Sequence, residues 1–295
     1  MINSMILYLN KNGSAIRAMF EEGTRMAKEF GRENVYDYSL GNPSVVPPKE
    51  IRDSILDIVQ NEDENVLHGY MKNAGFEDVR AAIATHLNET FGTAFSEKNI
   101  LMTVGAAGGL NVILKTLLNP GDEVITFAPF FGEYRNYVRN FDGVLVTAAT
   151  DPETFLPVPE ILASVITEKT KALIINTPNN PTGVVYPEEL IIQIADVLRD
   201  KEAEFGTSIY LIADEPYREL VYDGVTVPYL TKYYHNTVVG YSYSKSLSLP
   251  GERIGYLVLP DELDDAEEII PGAAAANRVL GFVNAPSLIQ KVVGR

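Results

Sequence analysis

From Asn99 to Leu259 the chain alternates short apolar, β-rich runs with stretches of helical spacing. That alternation limits the possible folds more than any other feature. Ile100–Val104, Glu123–Phe127, Val144–Ala148, Lys171–Asn176, Ile209–Ala213, Thr237–Ser242 and Ile254–Leu259 read as strands. Gly108–Leu118, Phe131–Asn140, Pro159–Ile166 and Pro187–Lys201 read as helices between them. Asn119-Pro120-Gly121-Asp122 stops the first helix, and a proline opens the last. Strands joined by helices in this way predict an α/β fold, a mostly parallel sheet covered by helices on both faces.

Residues 1–45 break the pattern. They hold one helical stretch, Ala15–Phe30, then Tyr36–Leu40, Gly41-Asn42-Pro43-Ser44 and a Pro47-Pro48 break. They are expected to form an N-terminal arm and part of a smaller α+β domain, with the large sheet domain spanning residues 46–270. After Pro260, Glu262–Ile269 and a run from Ala273 to Gly294-Arg295 read as helical. Residues 271–295 are expected to begin an interdomain helix that leads to a C-terminal domain absent from the sequence.

Charge and residue usage narrow the function. Aspartate plus glutamate number 40 against 24 lysines and arginines, a net charge of −16. Phosphate backbones and anionic lipid surfaces repel such a chain, so neither a nucleic-acid nor a membrane partner is expected. There is no cysteine, which excludes disulfides, thiolate metal sites and cysteine nucleophiles and suits a cytoplasmic location. His68, His86 and His235 show no metal-ligand spacing, and no metal is expected. Residues 1–10 lack the basic and apolar regions of a signal peptide, and no apolar run approaches the ~20 residues of a membrane span.

Ligands of open α/β sheets gather beyond the carboxyl ends of the strands, so the polar residues there are the candidates for chemistry. After the first strand, Gly105-Ala106-Ala107-Gly108-Gly109 opens a helix whose backbone N–H groups suit an anion. Thr177-Pro178-Asn179-Asn180-Pro181-Thr182-Gly183 is a stiff loop able to aim an asparagine amide. Asp214-Glu215-Pro216-Tyr217 sets a carboxylate at the end of an apolar strand, a costly position unless a cation or donor meets it. Ser242-Tyr243-Ser244-Lys245 places an amine among hydroxyls, with Arg253 eight residues on. Each segment alone has an ordinary reading: a tight turn, a rigid turn, a helix cap, a solvated lysine. Together they supply a phosphate cup, a carboxylate, two hydrogen-bonding groups and a lysine amine. That set fits pyridoxal 5'-phosphate, which needs a lysine for its Schiff base and an acidic partner for its pyridine nitrogen.

The Ser242-Tyr243-Ser244-Lys245 segment with Arg253 resembles the cofactor-attachment segment of fold type I, class I/II aminotransferases, the aspartate aminotransferase-like group. Asn179-Asn180-Pro181-Thr182-Gly183 and Asp214-Glu215-Pro216-Tyr217 are similar to its two other signature loops, in the same order. The resemblance implies transfer of an amino group between an amino acid and a 2-oxo acid. It implies that Lys245 bonds the cofactor and shuttles the substrate proton, and that Asp214 keeps the pyridine nitrogen protonated. Asn180 and Tyr217 would donate to the ring oxygen, and Phe131 would stack on the ring. Ser242, Ser244, Arg253 and the amides of Ala106 and Ala107 would form the phosphate cup. Tyr70 would reach the phosphate of a neighbouring subunit, which implies a homodimer with shared sites. Gly41 would lie near the substrate carboxylate, and Asn180 would also face substrate.

Two departures stand out. Many relatives carry a hydroxyl where this chain has Ala107, and no residue matches the arginine that binds the substrate α-carboxylate; Arg278 fits an interface better. The alternatives are a carbon–sulfur β-lyase on the same cofactor, a non-catalytic regulatory domain that binds it, and an inactive fragment.

Overall fold

The computed structural model describes residues 2–3, 6–8, 10, 15–39 and 41–295. The sequence readings of residues 1–10 and of Tyr36–Leu40 fall partly outside them. The chain divides into two units, Met1–Val46 and Pro47–Arg295. In the first, helix α1 (Ala15–Phe30) is followed by a 3-10 turn, Arg32–Asn34. Arg25 pairs with Glu22 and Glu29 at helical spacing along α1.

The second unit opens with three helices that the strand–helix alternation does not reveal: α2 (Lys49–Asn61), α3 (Glu64–His68) and α4 (Glu77–Phe91). Their ends carry ordinary signals. Asp63 accepts the backbone N–H groups of Asn65 and Val66 to cap α3, and α4 has Glu77 and Asp78 in its first turn.

Seven strands follow: β1 (Ile100–Thr103), β2 (Glu123–Ala128), β3 (Val144–Ala149), β4 (Thr170–Asn176), β5 (Tyr210–Asp214), β6 (Thr237–Ser242) and β7 (Gly255–Val258). They form one sheet in the order β1-β7-β6-β5-β4-β2-β3. All neighbouring pairs are parallel except those of β7, which runs antiparallel to both β1 and β6. The connecting helices are α5 (Gly105–Leu117), α6 (Tyr134–Arg139), α7 (Pro159–Val165), α8 (Glu188–Phe205) and α9 (Tyr243–Ser246), and then come α10 (Ala266–Val279) and α11 (Ser287–Gly294).

Successive side chains on a strand point to opposite faces, so a sheet covered on both sides needs apolar residues at nearly every position. Ile125, Leu173, Ile175, Leu211 and Val239 pack on one face with Ile83 and Leu87 of α4 and Ile191 and Leu198 of α8. Val124, Ala172, Ile174, Ile212 and Val238 pack on the other with Leu110 and Ile113 of α5, Val138 of α6 and Ala273 of α10.

Three sequence readings need correction. The helix expected over Phe131–Asn140 is only α6, because residues 131–133 form a turn closed by the Tyr134 N–H on the Phe131 carbonyl at 3.1 Å. The stretch expected to be helical from Glu262 starts at Ala266. Asp264 is tied to Ser208 and Asn236 instead, and Asp265 takes φ +56°. The two stretches expected as Glu262–Ile269 and from Ala273 onward are divided elsewhere: α10 runs through Pro271 to Val279, and residues 280–286 interrupt the expected run before α11.

Gly255 marks where β7 meets the start of α5. A Cβ there would lie 2.3 Å from the Tyr241 carbonyl oxygen and 3.1 Å from Gly105 Cα, both backbone atoms. Gly255→Ala is therefore expected to destabilise the protein by about 1–3 kcal/mol, an overpacking cost read as a lower urea midpoint. An unchanged midpoint would show that the two backbones separate freely.

Candidate active site

Strands β4, β5 and β6 are parallel neighbours whose ends lie in register, with Asn176 beside Asp214 and Asp214 beside Gly240. The loops that leave them therefore open together. A cleft of about 190 Å³ lies there, lined by Ala106, Ala107, Phe131, Asn180, Asp214, Tyr217, Ser242, Ser244, Lys245 and Arg253. Two hollows elsewhere are larger, about 360 and 540 Å³, but neither gathers an amine, a buried carboxylate and a helix N-terminus. Within the second unit the sequence-predicted residues thus meet in one place, apart from Tyr70. Tyr70 is 97% exposed and lines a separate hollow with His68, Met71 and Phe282. Gly41 belongs to the first unit.

Asp214 ends β5 and is 5% exposed. Its Oδ2 accepts the Tyr134 hydroxyl at 2.6 Å, while its Oδ1 is buried with no hydrogen-bond partner. Burial pushes its carboxyl up to about 6, the Tyr134 hydrogen bond opposes that rise, and Glu215 adds to it. Asn176 Nδ2 donates to the Asp214 carbonyl at 2.8 Å, and Asn176 Oδ1 accepts the Asn180 N–H at 2.6 Å. One asparagine thereby ties the end of β5 to the loop after β4. Asn180 Nδ2 in turn donates to Tyr217 Oη at 3.1 Å, and burial raises the Tyr217 phenol.

An anion cup stands at the start of α5. This 13-residue helix has no side-chain cap and no acidic residue in its first turn, so its N-terminal N–H groups and positive dipole end are offered to a ligand. Gly105 takes φ +77°, and a Cβ there would lie 2.8 Å from the Arg253 guanidinium. The glycine lets that cation sit against the helix end. Arg253, itself at φ +52°, donates to the Pro250 carbonyl at 2.9 Å and to the Val104 carbonyl at 3.3 Å. The buried hydroxyls of Ser242 and Ser244 are 2.8 Å apart, and Ser242 caps α9, which carries Lys245. Burial lowers the Lys245 ammonium pKa, and Arg253 lowers it further.

Three residues at or beside the cleft carry no strong sequence signal. Asn176 and Tyr137 line it, with burial pushing the Tyr137 phenol up to about 12, and Tyr134 braces Asp214 from behind. The one signal that could have found Asn176 is its place as a polar residue closing a buried strand; the two tyrosines look like ordinary positions on a helix. Away from the cleft, ligand atoms of His235, Glu202 and Asp264 come within 4.8 Å of one another. Glu202 and Asp264 already accept bonds from Asn236, Ser208 and the Ile209 N–H, so they form a hydrogen-bonded staple. Among the described residues no helix is long and apolar enough to cross a membrane.

Comparison with known proteins identifies the family. The family model described as aminotransferase class I and II matches residues 33–294. An aspartate aminotransferase of Pyrococcus horikoshii is 32% identical over 252 residues, 85% of this chain and 60% of that protein. A probable aspartate/prephenate aminotransferase of Thermus aquaticus is 36% identical over 192 residues, 65% of this chain and 49% of that protein. The chain thus spans about half to three-fifths of these curated relatives' length. Among solved structures, an amino transferase from Eubacterium rectale superposes with a TM-score of 0.96 at 47% identity, covering 100% of this chain and 74% of that one. An aspartate aminotransferase of Thermus thermophilus with maleate superposes with a TM-score of 0.82 at 27% identity, covering 96% and 69%. With the family model covering nearly its whole length, the chain belongs to the class I and II aminotransferases.

Proposed function

We propose that this chain forms the cofactor-binding part of a pyridoxal 5'-phosphate-dependent aminotransferase that moves an amino group between an amino acid and a 2-oxo acid. The observation that carries the reading is Asp214 Oδ1, a buried acceptor with no partner in a cleft that also holds an amine and an anion cup. An unpartnered buried acceptor is costly, and a protonated ring nitrogen would satisfy it. The uncapped start of α5 and Arg253 suit the phosphate, so the residues present fit the cofactor.

When bound, the cofactor supplies a ring that accepts the electrons left at the substrate Cα. Lys245 Nζ would hold the cofactor at rest, then take the proton from the substrate Cα and deliver it to C4′ of the cofactor. Its lowered pKa enlarges the neutral, basic fraction at neutral pH. Asp214 would keep the proton on the ring nitrogen. Asn180 and Tyr217 would donate to the ring oxygen, and Phe131 would cover the ring. Ser242, Ser244, Arg253 and the amides of Ala106 and Ala107 would bind the phosphate.

Residues 46–270 would be the large domain, residues 1–45 an arm and part of the small domain, and residues 271–295 the start of an interdomain helix. Gly41 and Asn180 would face substrate. Tyr70 would complete the site of a second copy, giving a homodimer, and its exposure is compatible with that role. Residue usage favours a cytoplasmic enzyme with neither nucleic acid nor membrane as partner.

The test is conversion: the protein loaded with pyridoxal 5'-phosphate is supplied with an amino acid and 2-oxoglutarate. Accumulation of the corresponding 2-oxo acid is the expected result. Cofactor binding with no conversion of any amino acid would favour a non-catalytic regulatory role or an inactive fragment, and ammonia with pyruvate as the products would favour a lyase.

A further inference from the structure

We propose that Tyr134 is a positioning residue for Asp214: its phenol fixes Oδ2, so that Oδ1 is kept as an ionised acceptor for the ring nitrogen of the bound cofactor. The ligand in this statement rests on the proposed function; the action of Tyr134 on Asp214 does not.

The geometry is specific. Tyr134 opens α6, is 1% exposed, and reaches the end of β5 with a 2.6 Å bond to a residue 80 positions away. Its ring is held between two neighbours. Phe130 stacks on it at 6.4 Å, and Phe131 meets it edge-on at 5.6 Å. The Asp214 backbone is held separately, by Asn176 on its carbonyl. With the backbone and Oδ2 both fixed, rotation of the carboxylate is blocked and Oδ1 has one position.

The charged and titratable groups around Asp214 are few. Glu215 is adjacent, Tyr217 and Tyr137 share the cleft, and Lys245 and Arg253 line it. Glu215 is occupied by a bidentate pair with Arg218, with contacts of 2.5 and 2.6 Å. Tyr134 is the side chain that bonds the Asp214 carboxylate directly. A phenol donating to a carboxylate favours its ionised form, and here it opposes the rise that burial causes. Without the phenol, Asp214 would hold its own proton nearer neutral pH, and a smaller fraction of it would be ionised to accept one from the ring.

The experiment titrates Asp214 in the cofactor-free protein by carbon NMR of labelled aspartate carboxyls, with Asp214→Asn identifying the signal. The wild-type midpoint is expected near 6. Tyr134→Phe should raise it by about one pH unit, a tenfold loss of acidity. Replacing Tyr134 by 3-fluorotyrosine, a stronger donor of the same shape, should lower it, and this second protein serves if the phenylalanine variant fails to fold. Pyridoxal 5'-phosphate affinity is then measured from pH 6 to 9. In Tyr134→Phe it should fall about fivefold at pH 6 and about twofold at pH 7, and recover fully toward pH 9 as Asp214 ionises; a purely structural defect would weaken binding equally at every pH. An Asp214 midpoint that moves in neither variant overturns the proposal. A midpoint that moves while neither protein binds the cofactor upholds the action on Asp214 and overturns the proposed function instead.

Discussion

Lys245→Ala is expected to reduce transamination by about 10⁴-fold or more, because in the proposed reaction one side chain would serve as both covalent anchor and proton carrier. The fold should tolerate the change. Lys245 lies half-buried on the four-residue α9, and the core on either side of the sheet does not include it. The thermal midpoint of the cofactor-free protein should therefore stay within a few degrees of wild type. Turnover within tenfold of wild type would remove Lys245 from the chemistry.

Asp214→Asn is expected to have two opposite effects. Turnover should fall by about 10²–10³-fold, the scale seen when one preorganised electrostatic partner is lost from a closed site. Stability without cofactor should rise. Burial holds the folded-state pKa of Asp214 at about 6, above the ordinary value of 3.8. Between those values the folded protein binds more protons than the unfolded chain, so stability falls as pH rises through that window and the penalty is complete above it. The shift corresponds to about 3 kcal/mol. Asparagine carries no such charge and can still accept the Tyr134 hydroxyl. Urea unfolding at pH 8 should show the variant more stable by about 2–3 kcal/mol, with the gain gone near pH 4. Equal stability at pH 8 would show that water or another group relieves the buried charge. A carboxylate kept at a cost to the fold is what a ligand-binding residue requires.

The sheet was legible because its strands are buried on both faces, and nearly unbroken apolar runs such as Ala172–Ile175 have few other uses. The reversed direction of β7 was not, because an antiparallel strand between two neighbours carries the same residues as a parallel one. Helices α2 and α4 escaped notice because neither stands between two strands of the alternation. In the cleft, Asn180, Asp214, Ser242 and Lys245 stood out as polar residues placed where apolar runs stop. Tyr134 did not. Its role depends on a contact across 80 residues, and on α6 a phenol turned toward the sheet reads like any core aromatic. Gly255 likewise reads as an ordinary glycine until the Tyr241 carbonyl of β6 and the Gly105 backbone are seen against it.

The site of cofactor attachment tests the central claim most directly. The protein is saturated with pyridoxal 5'-phosphate, reduced with borohydride, digested and mapped by mass spectrometry. One phosphopyridoxyl group per chain, on the peptide containing Ser244-Lys245-Ser246, is the expected result. A stoichiometric label on any other lysine, or no label after saturation, would contradict the assignment of this cleft as the cofactor site.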